Sequence, residues 1–500
     1  MSFTRIQFAG ITVATLAAFH SFAQTNNPLP PDGNLTTPYR VEIVAARLQA
    51  PWSVVFVPDG RIFFSERPGW VRVIEHGKVL ERPALLLKDV VPSVKMGLLG
   101  LALDPGFSTN HFLYLAYNYD LAKEQYRMRI VRYREQQNRL SEPKTLIENI
   151  PAYRNHTGGR LRFGPDGCLY ITTGDANDPP LAQRLDSFAG KILRLNPDGS
   201  IPSDNPFVGH TNAQGAIWSY GHRNPQGLAF QPGTGALFAP EHGPDHGDEI
   251  NLVRQGENYG WPLIDHRRAR EGLQSPTMEF TPAIGPAAAN FYQGKMFPEL
   301  TGKLLVGCLR GEGILSIGCN GTEPISCERL LHFKYGRIRE VVEGPDGFVY
   351  FTTSQFDPPE GTPRPEYDFI LRLVPKDAPP TGAGLAAEWN GPRPQETVLE
   401  PGTTNAPQLI AAYCAPCHGP GLRGGLQRGL LYGNWQIAKD DDGIRKVIRE
   451  GLTDKGMPAF GQTLAPEQVA ALLHFLRANQ TDEPEPSPIT PPPNKPSEFE

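Results

Sequence analysis

The chain has 500 residues, 39% hydrophobic and 20% charged, with a formal net charge of -5. That length exceeds the roughly 100–200 residues of an ordinary single core and points to two or more domains, although all-β propellers run longer. A mildly acidic balance with no basic block excludes nucleic acid and anionic membrane as partners.

At the N-terminus, Arg5 precedes an apolar run from Phe8 to Ala18, and Ser21-Phe22-Ala23 places small residues where a signal peptidase reads. Residues 1–23 are therefore expected to be a cleaved export signal, leaving a periplasmic or secreted protein. The run falls short of the roughly 18–20 residues that a spanning helix needs, so no stable membrane insertion is expected. Export also suits the cysteines, since disulfides survive outside the cytoplasm. Cys319 and Cys327 flank a plausible hairpin tip and could pair, whereas Cys168 in "CLYITT" reads as a buried thiol.

From residue 38 to 375 a turn followed by an extended apolar segment recurs, at Pro58, Pro105, Pro165, Pro232, Pro298 and Pro345. Units of this size, each with a turn and short β-rich runs, are the signature of propeller blades, and six anchors predict a six-bladed all-β propeller. One short helix is expected near Leu181 to Phe188. Residues 376–404, rich in Pro, Gly and Ala, read as a linker. Residues 405–481 return to helical patterning, with Val469, Leu472, Leu473 and Leu476 at helical spacing, and predict a small all-α domain. Residues 482–500 are Pro-rich, bury too little to fold, and are expected to be a disordered tail.

The helical domain carries a Cys-x-x-Cys-His motif. Cys414 and Cys417 have the spacing for two thioether bonds to a haem, and His418 follows as an axial imidazole. A zinc site would want a second Cys or His pair here, and a dithiol redox motif would lack the adjacent His. Met457, the only methionine after Met296, lies in "GMPAF" and is the expected sixth ligand. The region from about Leu409 to Gln480 resembles a class I cytochrome c. Such a domain moves one electron at a time and needs a donor.

The donor is sought in the Gly-rich polar clusters of the propeller segment: "NHTGGRLRFGPDG", "SYGHRNPQGLAF", "PEHGPDHGDEINL", "GENYGWPL", "GCLRGEG" and "YGRIREVVEGPDG". They set His and Arg side chains in loops next to strands, suggesting an anionic bound species and a proton acceptor. These phrases, with "APWSVVFVPDGRIFFSERPG" and "GLLGLALDPGF", resemble the soluble quinoprotein aldose/glucose dehydrogenases, also called sorbosone dehydrogenase-like. The resemblance implies a six-bladed propeller that binds pyrroloquinoline quinone and calcium and oxidises the C1 hydroxyl of sugars to lactones.

By that resemblance His156 is the general base, removing the hydroxyl proton while hydride moves to the quinone. Arg223 and Asn224 lie against the quinone oxygen that gains charge, and Arg337 and Arg339 clamp its carboxylates. Gly243 and Pro244 offer backbone carbonyls to calcium. Three positions depart from the better-known sugar oxidisers: Asn155 stands where an Asp precedes the base, Lys95 where a Gln lines the pocket, and Arg310 where a Lys binds the cofactor. The first departure implies that His156 lacks a carboxylate partner. The second leaves the sugar open.

Taken together, the expectation is an exported quinohaemoprotein in which a sugar or related hydroxyl compound reduces the quinone and electrons pass to the fused haem c, then to a downstream periplasmic acceptor. A flexible linker of that length reaches about 30 Å, at roughly 5–6 Å times the root of its length, enough to bring the haem to the propeller mouth. Two rival readings are a calcium-dependent propeller lactonase and a propeller without quinone acting as a binding or electron-relay module.

Overall fold

Six Pro-containing turns set the architecture. In the computed structural model, which describes residues 30–92, 95–244, 247–310, 313–332, 334–354, 368–379, 402–414, 418, 422, 430–431, 438, 440–452, 457, 459–461 and 463–481, each turn joins the first strand of an antiparallel sheet to its second. The first strands are Pro51–Phe56, Leu98–Leu103, Leu161–Phe163, Ala229–Phe230, Pro286–Phe291 and Ile338–Glu343. Their partners are Ile62–Glu66, Phe112–Asp120, Leu169–Thr173, Leu237–Glu241, Leu304–Cys308 and Val349–Thr353. The described strands make six sheets, five of four strands and one of five, which are the blades of a propeller.

The repeat is chemical as well as topological. In the three of these six turns that read Pro-Asp-Gly, Val57, Gly164 and Gly344 donate their amides to the carbonyls of Arg61, Cys168 and Phe348. The Asp side chains of the same turns, Asp59, Asp166 and Asp346, accept from the amides of Arg61, Cys168 and Phe348. The glycines Gly60, Gly167 and Gly347 take positive φ, which a side chain would strain. Blades three and six go further: Tyr170 and Arg194 both bind Asp166, and Tyr350 and Arg372 both bind Asp346.

Second strands such as Leu169–Thr173 and Val349–Thr353 are buried along their whole length, because each blade is covered on both faces by its neighbours. The ring closes with strands from both ends of the propeller. Tyr39–Ala45 pairs antiparallel with Ile370–Pro375, with Val41 opposite Leu373, and forms the outer strand of blade six.

Two local expectations are corrected. Around Leu181 the chain makes only a 3₁₀ turn, Pro179–Gln183. The buried Lys191 ammonium takes the carbonyls of Leu181, Ala182 and Ala189, in place of the amides that would continue a helix. Cys319 and Cys327 are thiols: the hairpin register sets Cys319 against Pro324 and Cys327 against Ile317, so the two are not paired across the ladder. Cys168 is a buried thiol, as expected.

In the C-terminal domain the described helices are Ala406–Leu409, continued by a π turn Ile410–Cys414, then Asp441–Glu450 and Pro466–Asn479. Asp440 caps Asp441–Glu450 through the Gly443 amide at 2.7 Å, and Ala465 N–H donates to Gln468 Oε1 at 2.9 Å at the start of Pro466–Asn479. Val469, Leu472, Leu473 and Leu476 face inward and pack with Leu409, Ile444 and Ile448. The export signal, most of the linker and the tail lie outside the described residues.

Candidate active site

In a four-stranded antiparallel blade, the connections between strands one and two and between three and four lie at one end. Those between two and three, and from four to the next blade, lie at the other. The Pro turns are all of the first kind. The sequence-selected site residues cluster at the second. Lys95, His156, Arg223 and Asn224, and Arg337 with Arg339 stand where the chain enters inner strands; Gly243, Pro244 and Arg310 connect second strands to third. A long excursion after Asp248–Val253 climbs back along residues 218–221, with Tyr259 and Trp261 amides bonded to the Tyr220 and Gly221 carbonyls, and carries Trp261 to the same end.

His156 is three-quarters or more covered, and its backbone takes a left-handed φ of 53°. The chain accommodates it by running glycine past it: a Cβ on Gly174 would lie 2.0 Å from the His156 carbonyl oxygen. The next residue supplies what the departure at Asn155 had implied was missing. Asp175, fully buried, has Oδ1 2.8 Å from His156 Nδ1 and 2.8 Å from the Asn177 amide, while Oδ2 accepts from Trp261 Nε1 at 2.8 Å. The carboxylate partner thus comes from the end of the second strand of the same blade instead of the adjacent position.

A carboxylate can only accept, so Nδ1 carries the proton and Nε2 keeps a lone pair. Burial pushes the His156 pKa below its ordinary value; Asp175 opposes this, and the positive charges of Arg223 and Lys95 reinforce it. The imidazole is neutral at pH 7 and oriented as a base.

Arg223 lies over the Trp261 ring at 5.4 Å and donates to the His242 carbonyl at 3.1 Å. Its backbone amide and that of Asn224 both donate to Glu241 Oε1, whose other oxygen holds His222 Nδ1 at 2.8 Å. The neighbouring His242 locates the remaining cations. Burial depresses its pKa far below the usual value, and Lys95, Arg339, Arg310 and Arg223 add to the effect in that order. Cations from four parts of the ring thus each disfavour charge on one imidazole, an electrostatic setting suited to an anion. Arg337 stands two residues before Arg339, its carbonyl accepting from Ser354.

The acids nearby are already engaged. Asp248 takes the amides of Gly243, Ile284 and Gly285 at 2.7–2.9 Å. Among the described residues no group of three or more His, Cys, Asp or Glu could hold a metal. A cation at Gly243 and Pro244 would therefore rely on backbone carbonyls and a bound anion. The donor set fits a polyanionic cofactor well and fits calcium only in its company.

In the helical domain, Cys414 and Met457 pack against the same apolar cluster, and Met457 is pinned by reciprocal backbone bonds with Leu452 at 2.9 and 3.1 Å. Tyr413 and Phe460 meet edge to face at 5.9 Å beside it. Cys417 lies outside the described residues.

Sequence reasoning missed Asp175 altogether and gave no individual role to Trp261, His242, Glu241 and Gln226, although these four lie in the polar clusters it singled out. The only signal available for the first was its place at the end of the buried run "ITTGD".

A family model described as glucose/sorbosone dehydrogenase matches residues 48–359, and one described as cytochrome c oxidase, cbb3-type, subunit III matches residues 402–476. Aldose sugar dehydrogenase YliI of Escherichia coli is 35% identical over 333 residues, 63% of this chain and 90% of its own. Quinoprotein glucose dehydrogenase B of Acinetobacter calcoaceticus is 34% identical over 252 residues, 45% of this chain and 52% of its own. The crystal structure of the soluble aldose sugar dehydrogenase from Escherichia coli in the apo form aligns with a TM-score of 0.62 at 32% identity, covering 68% of this chain and 100% of that one. The PQQ-bound aldose sugar dehydrogenase from Streptomyces coelicolor aligns with a TM-score of 0.60 at 31% identity, covering 68% and 99%.

Proposed function

The chain belongs to the glucose/sorbosone dehydrogenase family, joined to a C-terminal cytochrome c domain, and on that footing we propose that it is an exported quinohaemoprotein that oxidises an aldose or related hydroxyl compound. Bound pyrroloquinoline quinone supplies the two-electron acceptor for the substrate hydride. The protein's part is binding, proton transfer and charge stabilisation.

His156 Nε2 takes the proton of the substrate hydroxyl as its C–H hydride departs, and Asp175 stabilises the imidazolium that forms. Arg223 and Asn224 direct donors to the place where the acceptor gains negative charge. Arg337, Arg339, Arg310 and Lys95 hold the cofactor carboxylates; Gly243 and Pro244 contribute carbonyls to calcium. Cys414 and Cys417 would hold a haem c covalently, with His418 and Met457 as ligands to its iron, and that group would supply a one-electron acceptor. Residues 1–23 direct export to the periplasm, 38–375 form the catalytic domain, 376–404 link it to the haem domain at 405–481, and 482–500 form a tail. No described helix is long and apolar enough to cross a membrane.

The observation that carries this reading is a neutral, carboxylate-oriented imidazole set beside converging cations. A lactonase would need carboxylates available to its calcium, and Asp175, Glu241 and Asp248 are each committed to protein donors. The test is reconstitution with the quinone and calcium, followed by a sugar screen read at the reduced haem α-band. Reduction by at least one aldose is expected in the intact protein and is lost in His156→Ala, whose haem spectrum stays unchanged. No reduction by any sugar in the reconstituted protein overturns the reading.

A further inference from the structure

Gln226 lies two residues beyond Asn224 and is buried. Every polar group it has is used. Its amide donates to the Pro240 carbonyl at 2.9 Å and its carbonyl accepts from Arg160 Nε at 3.1 Å. In the side chain, Oε1 accepts from Arg339 Nη1 at 3.0 Å and Nε2 donates to Asn224 Oδ1 at 2.9 Å. Asn224 Oδ1 also accepts the Gly158 amide at 3.2 Å.

The polarity of this chain is forced. A guanidinium cannot accept, so the atom that Gln226 turns to Arg339 is its oxygen, and the atom turned to Asn224 is its NH₂. That NH₂ and the Gly158 amide are both donors, so Asn224 must turn its oxygen to them. Its own NH₂ is left over for a ligand. The geometry points to Gln226 as a positioning residue that passes the donor character of Arg339 across the site, so that Asn224 presents an N–H and never a carbonyl to the reacting end.

This rests on the proposed function, which places Asn224 where negative charge develops. There a displayed donor stabilises and a displayed oxygen repels.

The discriminating pair is Gln226→Glu and Gln226→Met. Both are near the original size. Glu keeps the contact to Arg339 and even adds an ion pair, but it offers only acceptors to Asn224 Oδ1. Either two oxygens face each other, or Asn224 flips, strands the Gly158 amide and shows its carbonyl to the ligand. Met breaks the relay without inverting it. If the residue only fills space and ties down Arg339, Glu is the milder change. If it sets polarity, Glu is the worse one.

We expect kcat with sugar to fall by about 10²–10³ in Gln226→Glu, the scale for losing one transition-state donor, and by about tenfold in Gln226→Met. Quinone affinity, titrated by quenching of tryptophan fluorescence without sugar, should weaken in the same order. Asn224→Asp, which also removes the displayed donor, should cost about as much as Gln226→Glu, and the two should be non-additive when combined.

A Gln226→Glu protein that binds quinone and turns over as well as or better than Gln226→Met refutes the relay, as does full additivity with Asn224→Asp. Should Gln226→Glu fail to fold, the comparison of Gln226→Met with Asn224→Asp decides: the relay requires the Asp variant to be the slower of the two. Failure of the wild type to bind quinone would instead refute the functional reading beneath it.

Discussion

Replacing Asp175 tests how much of the chemistry depends on a residue that touches no substrate. In Asp175→Asn the two donors on Oδ1, His156 Nδ1 and the Asn177 amide, outnumber the single Trp261 donor on Oδ2. The new amide therefore keeps its oxygen toward His156, and the tautomer survives. What is lost is the charge opposite the imidazolium: a charge-assisted bond of about 1.5–3 kcal/mol becomes a neutral one of about 0.5–1.5 kcal/mol. At about 1.4 kcal/mol per tenfold, the difference of about 1–1.5 kcal/mol should slow the reaction roughly 5- to 12-fold. Asp175→Ala also frees the ring to turn and lets either nitrogen carry the proton, so its loss should approach the full range of about 10²–10⁴ for a positioned base.

The assay is single-turnover reduction of the haem by sugar after rapid mixing, with the quinone already bound. Because Asp175 raises the His156 pKa against burial, its removal should also move the acid limb of the rate profile to lower pH. Asp175→Ala within about threefold of wild type, or an acid limb moving upward, would refute the assignment of His156 as an Asp-oriented base.

Other outcomes follow from the same geometry. In wild type the neutral imidazole is the competent form and its pKa lies below the ordinary value, so turnover should be flat through neutrality and fall only on acidification below about pH 6.5. An acid limb centred above 7 contradicts this. Gly174→Ala, whose Cβ would press on the His156 carbonyl, should lower kcat at least about tenfold while haem content, read from the absorption spectrum, is unchanged. Met457→Ala should leave haem attached but lower its reduction potential by spectroelectrochemical titration, and an unchanged potential would remove Met457 from the iron. Thiol titration of the unfolded protein without reductant should find Cys168, Cys308, Cys319 and Cys327 all reactive. Loss of two of these signals would mean that the 319–327 hairpin is bridged after all.

Turns, blade count and the Cys-x-x-Cys-His motif were legible because each is written in a few neighbouring residues. A Pro-Asp-Gly turn needs a positive φ at its glycine and an acceptor on its Asp, both local demands, and the thioether motif needs only five consecutive positions. Helical spacing in Val469 to Leu476 is similarly local.

The site was legible only in part, and the missing part has one cause. Which side chain meets which depends on strand register and on distances between strands, within a blade and between blades, that no stretch of sequence encodes. Asn155 suggested an unassisted base because adjacency was the only relation the sequence offered; the pleat of a neighbouring strand put Asp175 there instead. The short helix expected near Leu181 gave way to a buried Lys191 ammonium reaching in from ten residues on. Cys319 and Cys327 look close along the chain, yet hairpin register keeps them out of step.

Thus the amino-acid sequence alone determined six repeating units, a Cys-x-x-Cys-His motif in a helical segment and a supply of cations and histidines in loops. Ring closure decided the rest: it drew Lys95, Arg223, Arg310 and Arg339 around one imidazole and linked Arg339 to Asn224 through Gln226. Electrostatic fields and hydrogen-bond polarity act over a few ångströms of space, and residues from different blades come that near only once the propeller is complete.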